Sequence, residues 1–223
     1  MRVIVGLLVG LAAVVTIISL IGPNIDLEIA RLFFDPVTRR FPAGSNPYVA
    51  TLRDHGYVSI ITCVGFVAAA LATKFWPKFQ LNLPARVAVF LVGSLALGPG
   101  LLVNGVFKDY WHRPRPIQVT EFGGDKPYVN WWYPGGTCAR NCSFASGEAA
   151  SAAWMVGPAM LAPAPWRAAA IGAAAIFTAA TSLSRMAVGA HFFTDVVFGA
   201  LMSLLVLWAM YALIFNRVRS RPS

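Results

Sequence analysis

Three short clusters of polar residues carry the side chains in this sequence that could do chemistry. They are KDYWHRPRP at 108–116, SFASGEAAS at 143–151 and SRMAVGAHFFTD at 184–195. Together they offer lysine, arginine, serine, carboxylate and histidine groups. Fixed cations can hold a phosphate dianion, and an arginine can do so through two parallel hydrogen bonds. The clusters therefore favour phosphoryl transfer.

The candidate phosphate-binding groups come from all three clusters. Lys108, Arg115 and Arg185 supply positive charge. Ser146 and the backbone of Gly147 would add hydrogen-bond donors at the start of a helix, where the helix dipole also favours an anion. We expect these five residues to form a cradle for a phosphate group.

A histidine and an aspartate are the candidates for the reactive group and its support. His191 and Asp195 are four residues apart. If a helix has already begun there, they share a face, and Asp195 can accept a hydrogen bond from the imidazole Nδ1. That leaves Nε2 to attack phosphorus. Taken alone, His191 could instead be an interfacial histidine that caps a helix, but the presence of all three clusters favours the nucleophile.

Two residues are candidates for the proton donor that helps the departing oxygen. Glu148 lies at the start of a predicted helix, and burial could keep its carboxyl protonated because an apolar surrounding disfavours the charged form. An alternative role for Glu148 is to balance the charge of the phosphate-binding arginines. His112 lies within the cationic run and is the weaker candidate.

Six long apolar stretches must position these clusters. Of the 223 residues, 57% are hydrophobic and 12% are charged, and the mean hydropathy is +0.64. A helix needs about 20 apolar residues to cross a bilayer. The stretches lie at about residues 3–21, 56–74, 86–107, 146–163, 167–183 and 192–215. We predict an all-α, polytopic membrane protein with six transmembrane helices in a bundle, folded as a single integral-membrane domain over residues 1–223.

Local signals refine this plan. The first stretch begins like a signal peptide, but its apolar run is long and no cleavage site of small residues stands out, so we expect a retained helix. Residues 24–35 place apolar side chains on one face and predict a short helix in the periplasmic interface. Pro99, between two glycines, should bend the third helix or loosen its hydrogen bonds. Trp131, Trp132 and Tyr133 suit the headgroup level.

Charge separates the two sides of the predicted bundle. The side with both termini carries eight basic residues and no acid, and the other side carries ten basic and all nine acidic residues. Lysine and arginine in short loops and tails place the first side in the cytoplasm. We expect a bacterial inner-membrane protein whose polar clusters face the periplasm. The net charge of +9 follows from this topology and gives no argument for nucleic-acid binding.

The three cysteines fall in two settings. Cys138 and Cys142 lie on the predicted periplasmic side, where oxidising conditions permit a disulfide, with two free thiols as the alternative. Cys63 lies within the second apolar stretch, where we expect a small packing residue.

The spacing of the clusters resembles the signatures of a known family. The first motif has the form K-x6-RP, from Lys108 to Pro116, and the second has the form SR-x5-H-x3-D, from Ser184 to Asp195. Both are similar to motifs of the type 2 phosphatidic acid phosphatase superfamily. The resemblance implies a helical bundle, a phosphohistidine intermediate, no metal and no other cofactor.

The resemblance also implies roles for single residues. Phosphate binding would fall to Lys108, Arg115, Ser146, Gly147 and Arg185, attack to His191, and orientation of the nucleophile to Asp195. The middle motif departs from the family pattern, which reads P-S-G-H, because this chain has glutamate at position 148. A carboxyl would therefore replace the histidine that protonates the leaving oxygen.

A closer resemblance covers about residues 97–215. GPGLLVN, FKDYWHRPRP, CxxxCSF, the carboxylate in the middle motif and GAHFFTDVVFG look like the bacterial lipid A 4′-phosphatases. This implies a lipid substrate in the periplasmic leaflet, and the sequence leaves protein partners open. Three alternatives stay open: another envelope lipid phosphatase (for lipid A 1-phosphate, phosphatidylglycerol phosphate or undecaprenyl pyrophosphate), a phosphotransferase, and a non-catalytic phospholipid-binding protein.

Overall fold

The computed structural model describes residues 2–22, 24–49, 51, 61, 65 and 83–216. Over this part of the chain the structure is helical and has no β-strand, so the predicted all-α class is confirmed there. The predicted second crossing at 56–74, with Cys63, lies almost wholly outside the described residues. The basic residues of the C-terminal tail and of the loop near Lys78 lie outside them as well.

The chain begins with helix α1 (Arg2–Ile21), which is followed by the short helix α2 (Ile25–Arg31). Acidic residues in the first turn of α2 and an arginine in its last turn suit the helix dipole. The helix predicted at this place is confirmed. It packs inward through Asp26, Leu27 and Ala30, so its buried face includes a carboxylate that the apolar pattern did not indicate.

The third predicted crossing is one long helix, α3 (Ala85–Tyr110). Its middle, Ala96–Phe107, is wound as a wider π-helix. Pro99 has no N–H and cannot make the usual backbone hydrogen bond. In addition, the carbonyl oxygen of Pro99 accepts from the side-chain amide of Asn104 at 2.6 Å. The loosening predicted around Pro99 is confirmed.

The fourth predicted crossing is not a continuous helix. It consists of α4 (Gly147–Trp154) and α5 (Val156–Met160), with a break at Met155. Pro158 gives the physical reason, because its ring would clash with the carbonyl four residues earlier in an unbroken helix.

Two further long helices complete the described fold. They are α6 (Ala164–Ala187) and α7 (Phe193–Tyr211). By length and composition α3, α6 and α7 can each cross a membrane, and α1 with α2 could form a fourth, bent span. The prediction of a membrane protein is confirmed at this level. The count of six crossings is not reached within the described residues and stays a prediction.

Helix α4 lies at the centre and packs against α3, α6 and α7. Two glycines allow the close approach. A Cβ atom at Gly199 of α7 would lie 2.4 Å from the carbonyl oxygen of Ser146, and one at Gly147 would lie 2.5 Å from Oδ1 of Asn104. The start of α4 is therefore held tightly between its neighbours.

The long loop between α3 and α4 is tied down by a disulfide and by aromatic packing. Cys138 and Cys142 are bridged, with Cα atoms 5.7 Å apart. Trp131 stacks on Phe198 with ring centroids 4.3 Å apart, so it packs against the bundle, and its position at the headgroup level stays a prediction. The two aromatic residues that follow it are exposed, which fits their predicted role.

Candidate active site

The turn between α6 and α7 carries His191 into a buried position. Gly189 has a φ of +67°, which favours glycine, and a Cβ there would lie 2.5 Å from the ring of Phe41. The carbonyl oxygen of Arg185 accepts from the backbone N–H groups of Ala190 and His191, at 3.0 and 3.3 Å. These bonds close α6 and leave His191 only 1% exposed.

Each imidazole nitrogen of His191 has one close partner. Nδ1 lies 2.8 Å from the carbonyl oxygen of Ser143, and Nε2 lies 3.2 Å from Oε2 of Glu148. The predicted hydrogen bond from Nδ1 to Asp195 is wrong, because the nearest carboxylate oxygen is 4.0 Å away. The reason is local: α7 begins at Phe193, so His191 precedes the helix and does not share its face.

The partners of His191 determine where its protons lie. A carbonyl oxygen can only accept, so Nδ1 must donate. Nε2 and a carboxylate oxygen are both acceptors, so their contact requires one proton between them. That proton lies either on Nε2, giving an imidazolium beside a carboxylate, or on Glu148, giving a neutral pair. If Nε2 attacks phosphorus, as predicted, it must carry no proton, and moving that proton to Glu148 would provide both the free nitrogen and a protonated acid.

Asp195 supports the nucleophile through Ser143. Its carboxylate accepts from Ser143 Oγ at 2.5 Å, from Arg113 Nη1 at 2.5 Å and from the backbone N–H of Phe192 at 2.8 Å. The Ser143 carbonyl in turn accepts from His191, so Asp195 contacts the imidazole of His191 indirectly, through Ser143. The role of Asp195 in orienting His191 stays a prediction, and this contact chain gives it a route.

Positive charge surrounds Glu148. Its Oε1 lies 3.5 Å from Nη2 of Arg185, and its side chain is 13% exposed. Lys108 interacts electrostatically with Glu148, Arg185 and Arg115, and its Nζ lies 3.4 Å from Oδ1 of Asn104. These cations stabilise the charged carboxylate and so oppose the effect of burial; protonation of Glu148 by burial and its role as the acid stay predictions.

Arg185 has a spare donor at the centre of the site. Its Nε is buried and has no hydrogen-bond partner within the described part of the chain. The residue as a whole is 9% exposed. An unpaired buried donor is costly, and an incoming anion would remove that cost.

Arg115 lies at the outer rim of the site. Its Nε and Nη2 donate to the carbonyl oxygen of Asn141 at 3.2 and 2.9 Å, and Nη2 also reaches the Asn141 side-chain oxygen at 3.0 Å. Asn141 has a φ of +50°, a conformation that asparagine tolerates better than most residues. The structure places Arg115 within electrostatic reach of Lys108.

Ser146 and Gly147 form the predicted helix start. The Ser146 hydroxyl oxygen accepts from the backbone N–H of Ala149 at 3.3 Å and so caps α4. The Ser146 backbone N–H donates to the Asp195 carbonyl oxygen at 3.0 Å. These bonds join the middle cluster to the third, as predicted, while phosphate binding by Ser146 and Gly147 stays a prediction.

His112 points into the long loop. Its Nδ1 lies 2.9 Å from the carbonyl oxygen of Cys138. In the described parts of the chain, no three His, Cys, Asp or Glu side chains come together in a way that could hold a metal ion. Independence from metals stays a prediction.

Several residues of the site were missed from the sequence. Arg113 is fully buried between Asp26 and Asp195. Burial opposes its charge, but the two carboxylates outweigh that effect and raise the pKa of the guanidinium above its ordinary value. Burial also disfavours the charged form of Tyr128 and so raises the pKa of its hydroxyl, which lies 3.3 Å from Arg113. In the sequence, the only signal for this buried cluster was an acidic residue, Asp26, within the predicted amphipathic helix.

A comparison with protein families agrees with the site formed by the three polar clusters. A family model described as the PAP2 superfamily matches residues 87–219, which include all three polar clusters. The chain belongs to the PAP2 superfamily. The family predicted from the motifs is thereby confirmed.

Similar proteins of known name share one activity. The chain is 44% identical over 218 residues to a lipid A 4′-phosphatase of Rhizobium leguminosarum, covering 90% of this chain and 92% of that one. It is 34% identical over 204 residues to a lipid A 4′-phosphatase of Francisella tularensis subsp. novicida, covering 90% and 91%. These relatives confirm the predicted phosphatase class.

A solved structure shares the fold. It is a transmembrane PAP2-type phosphatidylglycerolphosphate phosphatase from Bacillus subtilis, with a TM-score of 0.58 and 18% identity. The match covers 89% of each chain. It supports a membrane-embedded helical fold for this chain.

Proposed function

We propose that this chain removes the 4′-phosphate of lipid A at the periplasmic face of the inner membrane, without a metal ion. Two things support the proposal. Its curated relatives carry that activity in their names at up to 44% identity. Its site combines a fixed histidine with a buried guanidinium donor that has no partner among the described residues. That donor, Nε of Arg185, carries the proposal because it marks where a phosphate oxygen would bind.

The first chemical step forms a phosphohistidine. With phosphate held by Lys108 and Arg185, the proton between His191 and Glu148 lies on Glu148, and Nε2 attacks phosphorus. The bond between phosphorus and the 4′ oxygen breaks as Glu148 gives its proton to that oxygen. The dephosphorylated lipid leaves as an alcohol, and Nε2 carries the phosphoryl group. General-acid help of this kind is typically worth about 10² to 10⁴-fold.

The second step returns the site to its starting state. Glu148, now a carboxylate, takes a proton from a water molecule that attacks phosphorus. The bond between Nε2 and phosphorus breaks, and inorganic phosphate leaves. The site again shares one proton between Nε2 and Glu148.

The proposed membrane arrangement follows the charge pattern of the sequence. Six helices would cross the bilayer within one phosphatase domain over residues 1–223, with both termini in the cytoplasm. α2 would lie in the periplasmic interface, and the substrate would meet the site from the periplasmic leaflet. Three long apolar helices and a transmembrane fold relative support this arrangement.

Mass spectrometry of lipid A from cells with and without this chain tests the proposal. We expect the loss of one phosphate, with fragment ions that assign it to the distal glucosamine. The His191→Ala variant is the control and should leave lipid A unchanged. Loss from the proximal sugar would indicate a 1-phosphatase. Unchanged lipid A, with phosphate release from another envelope lipid, would identify a different substrate.

A further inference from the structure

A buried chain of ion pairs runs from α2 to the start of α7. Arg113 donates from Nη2 to Asp26 Oδ2 at 2.7 Å and from Nη1 to Asp195 Oδ1 at 2.5 Å. The three side chains are at most 1% exposed. Thr194 adds a second link, because its backbone N–H and its hydroxyl donate to Asp26 at 2.9 and 2.6 Å.

The guanidinium of Arg113 suits a bridge between two carboxylates. Its planar, rigid fork presents a different nitrogen to each carboxylate, whereas a lysine has only one nitrogen for both. Its Cζ also lies 4.4 Å from the ring centre of Phe192, next to His191 in the chain. Burying three ions is expensive unless each is paired, and here every one of them is.

The charge of this cluster matters for the neighbouring histidine. Two carboxylates and one guanidinium give a net charge of −1, and an oxygen of Asp195 lies 4.0 Å from His191 Nδ1. A histidine phosphorylated on Nε2 that keeps its Nδ1 proton has a positive ring. The cluster therefore stabilises the ring in that state, and without the Asp26 charge the cluster would be neutral.

We propose that Asp26 and Arg113 are positioning residues for the reaction. They hold Asp195 in place, Asp195 holds Ser143, and the carbonyl of Ser143 holds the His191 ring. The proposal rests on the function proposed above and adds a role for α2, which becomes part of the catalytic apparatus although it lies more than 150 residues from His191 in the chain.

The Asp26→Asn variant of the purified full-length protein tests the proposal. It keeps the shape of the side chain and removes the charge. We expect kcat on the lipid to fall by about 10²-fold, the size of effect that a misplaced reacting group produces. KM and inhibition by inorganic phosphate should stay within about twofold, because Lys108 and Arg185 are untouched. Samples quenched in alkali, in which phosphohistidine is stable, should contain less of it.

Two further variants keep the test decisive. Glu28→Gln is the matched control, because Glu28 lies on the same helix, is exposed and takes no part in the cluster. It should match the wild type. If Asp26→Asn does not fold, Thr194→Val removes a hydroxyl that donates to Asp26 and accepts from Arg113 Nη1 at 3.0 Å, with little change in size. It should lower kcat with little change in KM, and Thr194→Ser, which keeps the hydroxyl, should be milder.

Some outcomes would overturn the inference without touching the proposed function. A wild-type kcat for Asp26→Asn, or for a folded Thr194→Val when Asp26→Asn does not fold, would show that the bridge does not affect the reaction. A loss of kcat together with phosphate affinity and a large fall in melting temperature would show a structural role only. In either case His191→Ala should still be inactive. An active His191→Ala variant would instead overturn the proposed function.

Discussion

At the residue scale, the contact between His191 and Glu148 joins the proposed nucleophile to the proposed acid. The Ser143 carbonyl fixes the tautomer of His191, so the nucleophile and the acid share one proton. Glutamate suits this position because its carboxyl can take a proton from Nε2 and then give it to the leaving oxygen. A glutamate at position 148 could therefore protonate the leaving oxygen, the task that the family pattern gives to a histidine.

The Glu148→Gln variant tests the acid. An amide has a similar shape but cannot donate a carboxyl proton, so hydrolysis of the lipid should fall by about 10² to 10⁴-fold. An aryl phosphate with an acidic phenol needs no protonation and should be cleaved at nearly the wild-type rate, measured as phenol release. His191→Ala should lose both activities. An equal loss on both substrates in Glu148→Gln would reassign Glu148 to phosphate binding or structure.

Arg185→Ala tests the phosphate-binding group with the unpaired buried Nε. Removing one strong, preorganised contact typically costs about 3 to 4 kcal/mol of transition-state stabilisation. We expect kcat/KM on the lipid to fall accordingly. Arg140→Ala, an exposed arginine of the long loop, is the control and should be neutral. A kcat/KM within about threefold of the wild type would remove Arg185 from the site.

Chelation tests the expected independence from metals. Histidine attack with arginine and lysine as the cations needs no metal ion, so full activity should persist in excess chelator. The measurement is phosphate release from the lipid before and after treatment. Activity that is lost with chelator and restored by magnesium or zinc would contradict the mechanism.

At the scale of helices, α4 shows how backbone approach builds the site. It is short and broken after Trp154, yet its start brings Glu148 within 3.2 Å of His191 and the backbone of Ser146 to that of Asp195. Small residues line the buried face of this helix: Ala149, Ala150, Ala152 and Ala153. They allow α3 and α7 to come close enough for the three clusters to meet.

A pair of glycine variants tests this packing. Gly199→Ala places a Cβ 2.4 Å from the Ser146 carbonyl oxygen, so α4 and α7 must move apart. Overpacking of this kind typically costs about 1 to 3 kcal/mol, and both melting temperature and activity should fall. Gly172→Ala in α6 meets no atom within 4 Å and should be neutral or slightly stabilising. Equal melting temperatures for the two variants would contradict the proposed close packing.

At the scale of the whole molecule, sidedness decides which leaflet the site serves. Reporter fusions after Arg221 and in the loop near Lys78 should be cytoplasmic, because those segments are basic and lack acids. A tag near Gly124, in the long loop that carries part of the site, should be periplasmic. A cytoplasmic tag at Gly124 would place the site at the cytoplasmic leaflet and contradict the proposal that the substrate lies in the periplasmic leaflet.

Much of this protein could be predicted from the sequence alone. Apolar stretches of about 20 residues predict membrane helices because a helix of that length spans the hydrocarbon core of a bilayer. The three clusters predict phosphoryl chemistry because Lys108, Arg185 and His191 have side chains that suit few other reactions at that spacing. Pro99 loosens its helix because the missing N–H acts locally, whatever packs around it.

Only the tertiary structure decided how the clusters are connected. The helical spacing of His191 and Asp195 indicated a direct bond, but the exact start of α7 depends on the turn at Gly189 and put Ser143 between them. The charge state of Glu148 depends on cations from two other helices. Arg113 and Arg115 are the same residue type, two positions apart, and the sequence does not distinguish them. The tertiary structure buries Arg113 beside Asp26, which is remote in the chain, and leaves Arg115 at the rim of the site.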